Sequence, residues 1–191
     1  MHSKIIKVPF YYVRHGQTDW NRDNRAMGQT DIPLNSHGIN QALSARKNLV
    51  GSGITTICHS PLSRAKMTAE IFNEILQCRL IEIEELQEFN LGPHAGKVKE
   101  KWFHDWRTGI NLPDTESYSD FIDRSLKGVN KALSLPGLVL IIAHGGVYWS
   151  IEHATQTRLE KDIPNCLPVF HAPPQNENGK WEISLSHIDS R

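Results

Sequence analysis

The stretch Ile5-Ile6-Lys7-Val8-Pro9-Phe10-Tyr11-Tyr12-Val13-Arg14-His15-Gly16 decides how the rest of this chain is read. Ile5 to Val13 is apolar and rich in β-branched and aromatic residues, the composition of a buried strand. It runs directly into an arginine, a histidine and a glycine. The same arrangement recurs twice. Ile54 to Cys58 is a second short strand followed by Ser63-Arg64, and Leu138 to Ala143 is a third that ends in His144-Gly145-Gly146.

Helical patterns alternate with these strands. A polar, turn-rich segment reaches about Asn35. Ser36 can then cap a helix to about Val50, with Ile39, Leu43 and Leu49 on its apolar side. Ser60-Pro61 reads as a helix start, followed by Leu62, Ala65, Ala69, Phe72 and Leu76 at spacings of three and four. Leu80 to Ile83 is a further strand. Helices are expected over Lys97 to Arg107, over Tyr118 to Leu133 and from Val147 onward. Asn178-Gly179, between Val169-Phe170 and Trp181-Ile183, has the chemistry of a tight hairpin turn. The alternation predicts an α/β layered domain.

Bulk properties narrow the function. The chain has 191 residues, 39% hydrophobic and 22% charged, enough for one folded core and unlike a disordered chain. Its 21 basic and 21 acidic side chains cancel, which argues against a nucleic-acid-coating protein. The longest apolar run, Leu138 to Ala143, is far short of the roughly 20 residues of a membrane span. No cleavage signal follows the amino-terminal strand. Cys58, Cys78 and Cys166 are odd in number and widely spaced, so the expected compartment is the reducing cytoplasm. No feature specifies an oligomeric state.

In open α/β sheets, ligands bind beyond the carboxyl ends of the strands. Three strand ends here deliver Arg14-His15, Arg64 and His144. Phosphate esters are anionic and repel nucleophiles, so their cleavage needs fixed positive donors, an oriented nucleophile and a proton for the leaving group. Arg14 and Arg64 supply guanidinium donors, and His144 can add another. A neutral His15 is a candidate nucleophile that would form a phosphohistidine. Asn21 offers an amide for a phosphate oxygen, and Glu88 is the candidate general acid. Glu82, Glu84 and Glu85 read as a solvated rim, and Trp102, Phe103 and Trp106 as packing residues. His2, His37, His59, His94, His104, His153, His171 and His187 read as surface or hydrogen-bonded histidines. No histidines stand at metal-ligand spacing, so zinc is not expected.

The residues Arg14-His15-Gly16-Gln17-Thr18-Asp19-Trp20-Asn21 resemble the opening motif of the histidine phosphatase superfamily, the phosphoglycerate mutase-like group. Asn24-Arg25, Gly28, Asp31, Leu34 and Gly38 continue the likeness. Ser60-Pro61-Leu62-Ser63-Arg64-Ala65, Leu86-Gln87-Glu88 with Gly92, and His144-Gly145 follow in the family's order. The resemblance implies a three-layer α/β/α sandwich with a mostly parallel sheet, residues 1–191 forming one such domain. It implies His15 as nucleophile, Arg14, Arg64 and His144 as the phosphate pocket, and Glu88 as proton donor. Gln17, Thr18, Asn21, Gly28 and Gly145 become candidates for substrate binding. The implied partner is a small phosphorylated metabolite, with no nucleic acid and no membrane, and the resemblance implies no metal and no organic cofactor.

Two departures stand out. Ala95-Gly96 replaces the family's frequent Glu-Gly after the acid, and Asp114-Thr115-Glu116-Ser117 follows Pro113 where phosphatase members often have Gly-Glu-Ser. A mutase needs a sealed site, to return the phosphoryl group before water takes it. Mutases of this group are typically longer and carry Gly-Asn-Ser after the second histidine, where this chain has Gly145-Gly146-Val147. Phosphatase is therefore the favoured expectation. A mutase, and a phosphate-binding protein without catalysis, are the alternatives.

Overall fold

The computed structural model describes residues 4–176 and 178–185. His2 and His187 lie outside the described residues. Six strands form one sheet in the order β3-β2-β4-β1-β5-β6, comprising β1 (Phe10–Arg14), β2 (Ile54–His59), β3 (Arg79–Glu82), β4 (Leu138–Ala143), β5 (Val169–Ala172) and β6 (Glu182–Leu185). The β1–β4, β4–β2 and β2–β3 ladders are parallel, while β5 and β6 add antiparallel pairings. Helices α2 (Ser36–Ala45), α3 (Ser63–Leu76), α5 (Tyr118–Leu133) and α6 (Gly145–Thr155) cover the faces, with the shorter α1 (Asp19–Arg22) and α4 (Lys101–Arg107) above the strand ends.

β4 shows why the apolar runs are continuous. It lies between β2 and β1 in the sheet, and a separate core covers each of its faces. Val139, Ile141 and Ala143 join Phe121, Leu126, Val129, Val147 and Ile151 in one core. Leu140 and Ile142 face the other way, onto Ala42, Ala45, Ala69 and Phe72. This period-two split between two cores makes the domain a three-layer α/β/α sandwich. Among the described residues no helix is long and apolar enough to cross a membrane.

Five local expectations need correction. β1 begins at Phe10, since Pro9 has no N–H to give a ladder. Asn35, and not Ser36, caps α2 by accepting from the Gly38 N–H, and the helix tightens into a 3-10 turn over Arg46–Leu49. Ser60-Pro61 does not start α3. Leu62 is the N-cap, and the Ser60 hydroxyl accepts from Leu62 N–H at 3.3 Å while also meeting His144 Nε2. Lys97 to Lys99 are not helical because they are bonded to residues 24–26, through Ala26 N to Lys97 O and Lys99 N to Asn24 O. Finally, β5 and β6 do pair, but residues 173–181 separate them, with a turn closed by Gly179 N to Asn176 O rather than a two-residue hairpin.

Candidate active site

Parallel register aligns the chemistry. Arg14 pairs with Ala143, so the next residues, His15 and His144, leave adjacent strands side by side, and His15 N–H donates to Ala143 O at 2.9 Å. On the other side of β4, His59 pairs with Ile142 and Ser60 N–H donates to Ile142 O. Ser60, His144 and His15 thus stand in a row at the carboxyl ends of β2, β4 and β1. The two histidine rings lie edge to face, with centroids 5.2 Å apart.

His15 is buried. Its Nδ1 lies 2.7 Å from Gly16 O, an atom that can only accept, so Nδ1 carries the proton and Nε2 the lone pair. Burial, with Arg64 and Arg14 nearby, pushes the imidazole well below its ordinary value of 6.5, so it is neutral at neutral pH. Gly16 makes this geometry possible by packing on α2. A Cβ on Gly38 would lie 2.1 Å from Gln17 O, and one on Gly16 2.5 Å from Gly38 O. Further bonds fix the loop. Gly16 N–H donates to Thr68 Oγ1, and Asn165 Nδ2 donates to His15 O.

Arg64 is buried and Arg14 half-buried, and both have donors to spare. Arg64 gives Nη1 to Thr30 O and Nη2 to Gly28 O, and Arg14 gives Nη1 to Ile163 O. The Nε atoms of both, and Nδ1 of His144, are buried without a partner among the described residues. Such orphan donors are rare in folded proteins, because each costs about 1–3 kcal/mol of unrecovered solvation. Burial lowers Arg64 to about 10, still charged at neutral pH. The amino end of α6 adds to the positive field, with Gly145 and Gly146 lining the same cleft. The site is therefore built for an anion.

Glu88 completes it. Its Oε2 accepts from Gly146 N–H at 3.2 Å and its Oε1 from Phe89 N–H at 3.3 Å. Burial raises its carboxyl above the ordinary value of 4.5, against the opposing pull of these bonds, Arg64 and Arg14. A carboxyl that burial makes keep its proton to higher pH, set beside two guanidinium groups, can give that proton to a leaving group.

The cleft, about 470 Å³ in empty volume, is lined by Arg14, His15, Asn21, Gly28, Arg64, Glu88 and Gly145 among the expected residues. His144 is not on its wall. It is fully buried against His15 and bonded through Nε2 to Ser60 Oγ at 2.8 Å. Gln17 and Thr18 also stay off the wall. Gln17 Oε1 accepts from Asn35 Nδ2, and Thr18 caps α1 by accepting from Asn21 N–H. The Gln17 Oε1 and the Thr18 hydroxyl are thus taken up by neighbours in this structure. Asn21 Oδ1 accepts from Thr18 N–H, which leaves its amide N–H groups for the cleft. Among the described residues, no three or more His, Cys, Asp or Glu are grouped to hold a metal.

The same cleft takes Lys99, Phe103, Trp149 and Asp162, which the motifs did not indicate. Lys99 lies 5.2 Å over the Phe103 ring, and Arg107 lies 3.9 Å over Trp149. Trp149 stands four residues after Gly145 on α6, a spacing that puts it on the same helix face and could have flagged it. Lys99 and Asp162 are brought in by irregular segments, for which the sequence holds no signal.

A three-layer sandwich whose parallel strands deliver an arginine–histidine pair, a second arginine and a second histidine to one anion site defines a class. The chain belongs to the histidine phosphatase superfamily (branch 1), whose sequence model matches residues 10–166. It is 36% identical over 189 residues to the uncharacterized phosphatase PhoE of Bacillus subtilis (strain 168), covering 93% of each chain. It is 33% identical over 147 residues to the probable phosphoglycerate mutase GpmB of Serratia proteamaculans (strain 568), covering 71% of this chain and 68% of that one. Among solved structures, a mycobacterial glucosyl-3-phosphoglycerate phosphatase complexed with VO3 is similar at a TM-score of 0.77 and 25% identity, covering 93% of this chain and 97% of that one.

Proposed function

We propose that this chain is a metal-independent phosphatase that hydrolyses a small phosphate monoester through a phosphohistidine on His15. The observation that carries this reading is the set of buried, unpartnered guanidinium donors of Arg14 and Arg64 around a neutral imidazole whose proton is held on Nδ1. In the first step His15 Nε2 attacks phosphorus and the bond to the leaving oxygen breaks. Glu88 gives that oxygen its proton. Arg14, Arg64, Asn21 and the amino end of α6 hold the phosphoryl oxygens as charge spreads over them. In the second step water attacks phosphorus, its proton passes to the Glu88 carboxylate, and the P–N bond breaks to restore neutral His15. His144, oriented by Ser60, packs edge to face against the His15 ring and supports it.

Hydrolysis is favoured over mutase chemistry because the phosphatase relative aligns over 93% of both chains, whereas the mutase relative aligns over 71% of this one. The buried Glu88 would be needless in a phosphate-binding protein without catalysis. On this reading the enzyme works in the cytoplasm, where its three free thiols stay reduced.

The test is to quench turnover of a radiolabelled phosphate monoester in excess chelator and map the label. The expected result is an acid-labile, alkali-stable phosphoryl group on His15, absent in His15→Ala together with nearly all turnover. Turnover near the wild-type rate in folded His15→Ala would refute covalent catalysis. Loss of activity on chelation, restored by a divalent cation, would refute the metal-free mechanism.

A further inference from the structure

We propose that Arg124 and Glu116 form a positioning pair that fixes the Glu88 carboxyl for proton delivery, an inference that rests on the reading of Glu88 as general acid. The segment carrying Glu88 has little regular structure of its own. Between the 3-10 turn at Glu84–Leu86 and the one at Gly92–His94 there is neither helix nor strand. Something else must hold the carboxyl to the roughly 0.5 Å tolerance that a catalytic group requires.

The Arg124 guanidinium, projecting from α5, does so with five hydrogen bonds. Nη1 donates to Glu85 O and Gln87 O, both at 3.0 Å, and Nη2 donates to Glu88 O at 3.1 Å. Nε and Nη2 form the forked pair with the Glu116 carboxylate at 2.8 and 2.9 Å. These five bonds match the five N–H donors that arginine possesses. Glu116 ties down the far side of the same segment. Its Oε2 accepts from Asn90 N–H at 3.0 Å, and its own N–H donates to Asn90 O at 2.8 Å. Together the pair grips residues 85–90 on both sides of the acid. α5 comes close enough because Gly128, four residues on from Arg124, has no side chain. A Cβ there would lie 2.9 Å from the Glu85 carbonyl carbon.

Every one of the five bonds goes to a backbone carbonyl or to Glu116, so Arg124 acts on Glu88 through its main chain and touches no reacting atom. A lysine would keep the charge but lose the planar fork, so charge and geometry can be separated. The pair also accounts for part of the sequence departure. Glu116 supplies the carboxylate and Ser117 caps α5 by accepting from Asp120 N–H, whatever precedes them.

The experiment compares an alkyl phosphate, whose leaving oxygen needs a proton, with p-nitrophenyl phosphate, whose leaving group does not. Displacing a catalytic group by about 1 Å costs on the order of 100-fold. Arg124→Ala and Arg124→Lys should each lower kcat on the alkyl phosphate by about that factor, with KM little changed. The loss on p-nitrophenyl phosphate should stay under about 5-fold. Glu116→Gln should shift the ratio the same way by about 3- to 10-fold, because the amide keeps only part of the fork. If Arg124→Ala does not fold, Arg124→Lys and Glu116→Gln carry the comparison. Parallel losses on both substrates, or no loss on either, would overturn the positioning role. Glu88→Gln is the control. If it shows the leaving-group dependence and the Arg124 variants do not, only the positioning role falls. If Glu88→Gln itself shows none, the acid assignment fails and takes the positioning role with it.

Discussion

Gly146→Ala puts a single methyl group against the proposed proton donor. Gly146 is the second residue of α6, and its N–H bonds Glu88 Oε2 at 3.2 Å. A Cβ at this position would lie 2.3 Å from Glu88 Oε1, 2.8 Å from Phe89 Cδ1 and 2.9 Å from Phe121 Cζ. Ordinary contact begins at 3.4 Å, so the carboxyl must retreat by about 1 Å. The two rings cannot take up the strain alone. Phe89 is 3% exposed and Phe121 is 0% exposed, both locked in the core. A misplacement of that size should lower kcat/KM on an alkyl phosphate by about 100-fold, or about 2.7 kcal/mol of transition-state stabilisation. p-Nitrophenyl phosphate should lose less than about 5-fold. Overpacking should also cost about 1–3 kcal/mol of stability, read by urea unfolding, and the kinetics belong in conditions where the variant is folded. A folded Gly146→Ala whose alkyl-phosphate kcat/KM stays within about 2-fold of wild type would refute the assignment of Glu88 as proton donor from this position.

Two other outcomes follow from the site. The alkyl-phosphate kcat/KM should fall on the acid side only below the depressed His15 value, and on the alkaline side as pH passes the raised Glu88 value. Glu88→Gln should remove the alkaline limb, and its persistence would point to a different acid. A raised folded-state pKa means that the stability linked to protonated Glu88 is lost as pH rises through it, so Glu88→Gln should also flatten that loss in urea titrations across pH. Gly38→Ala should destabilise the fold by about 3 kcal/mol and depress activity, since its Cβ would sit 2.1 Å from Gln17 O, a backbone atom tied into the His15 loop. Wild-type stability in that variant would show that the loop has more freedom than its packing implies.

Strand identity and sheet class were written in composition and period. Tyr118–Leu133 and Leu138–Ala143 form as helix and strand over the bounds their patterns predict, because long amphipathic and fully apolar runs leave little choice. The motif carriers Arg14, His15, Arg64 and Glu88 were equally legible, and they converge on one cleft. Several other element boundaries were not, since they depend on partners distant in sequence. Lys97 to Lys99 gave up a helix to bond residues 24–26, and the helix after Ser60 starts from Leu62 while the Ser60 hydroxyl bonds both Leu62 N–H and His144.

By itself the sequence determined which residues could do phosphoryl chemistry and that strand ends would carry them. Tertiary structure alone decided their states and supports. Only the parallel registers of β4 with β1 and with β2 bring His15, His144 and Ser60 into one row. Burial, with Arg64 and Arg14 beside it, pushes His15 down, and burial keeps the Glu88 proton to higher pH, because desolvation penalises whichever form is charged. Gln17 and Thr18, which stand in the motif, have side-chain oxygens taken up by neighbours, while Lys99, Trp149 and Asp162, which belong to no motif, came to line the cleft. A motif fixes chemistry along the chain, but the wall of a cleft is a property of surfaces meeting in space, and that is set by packing between elements far apart in sequence.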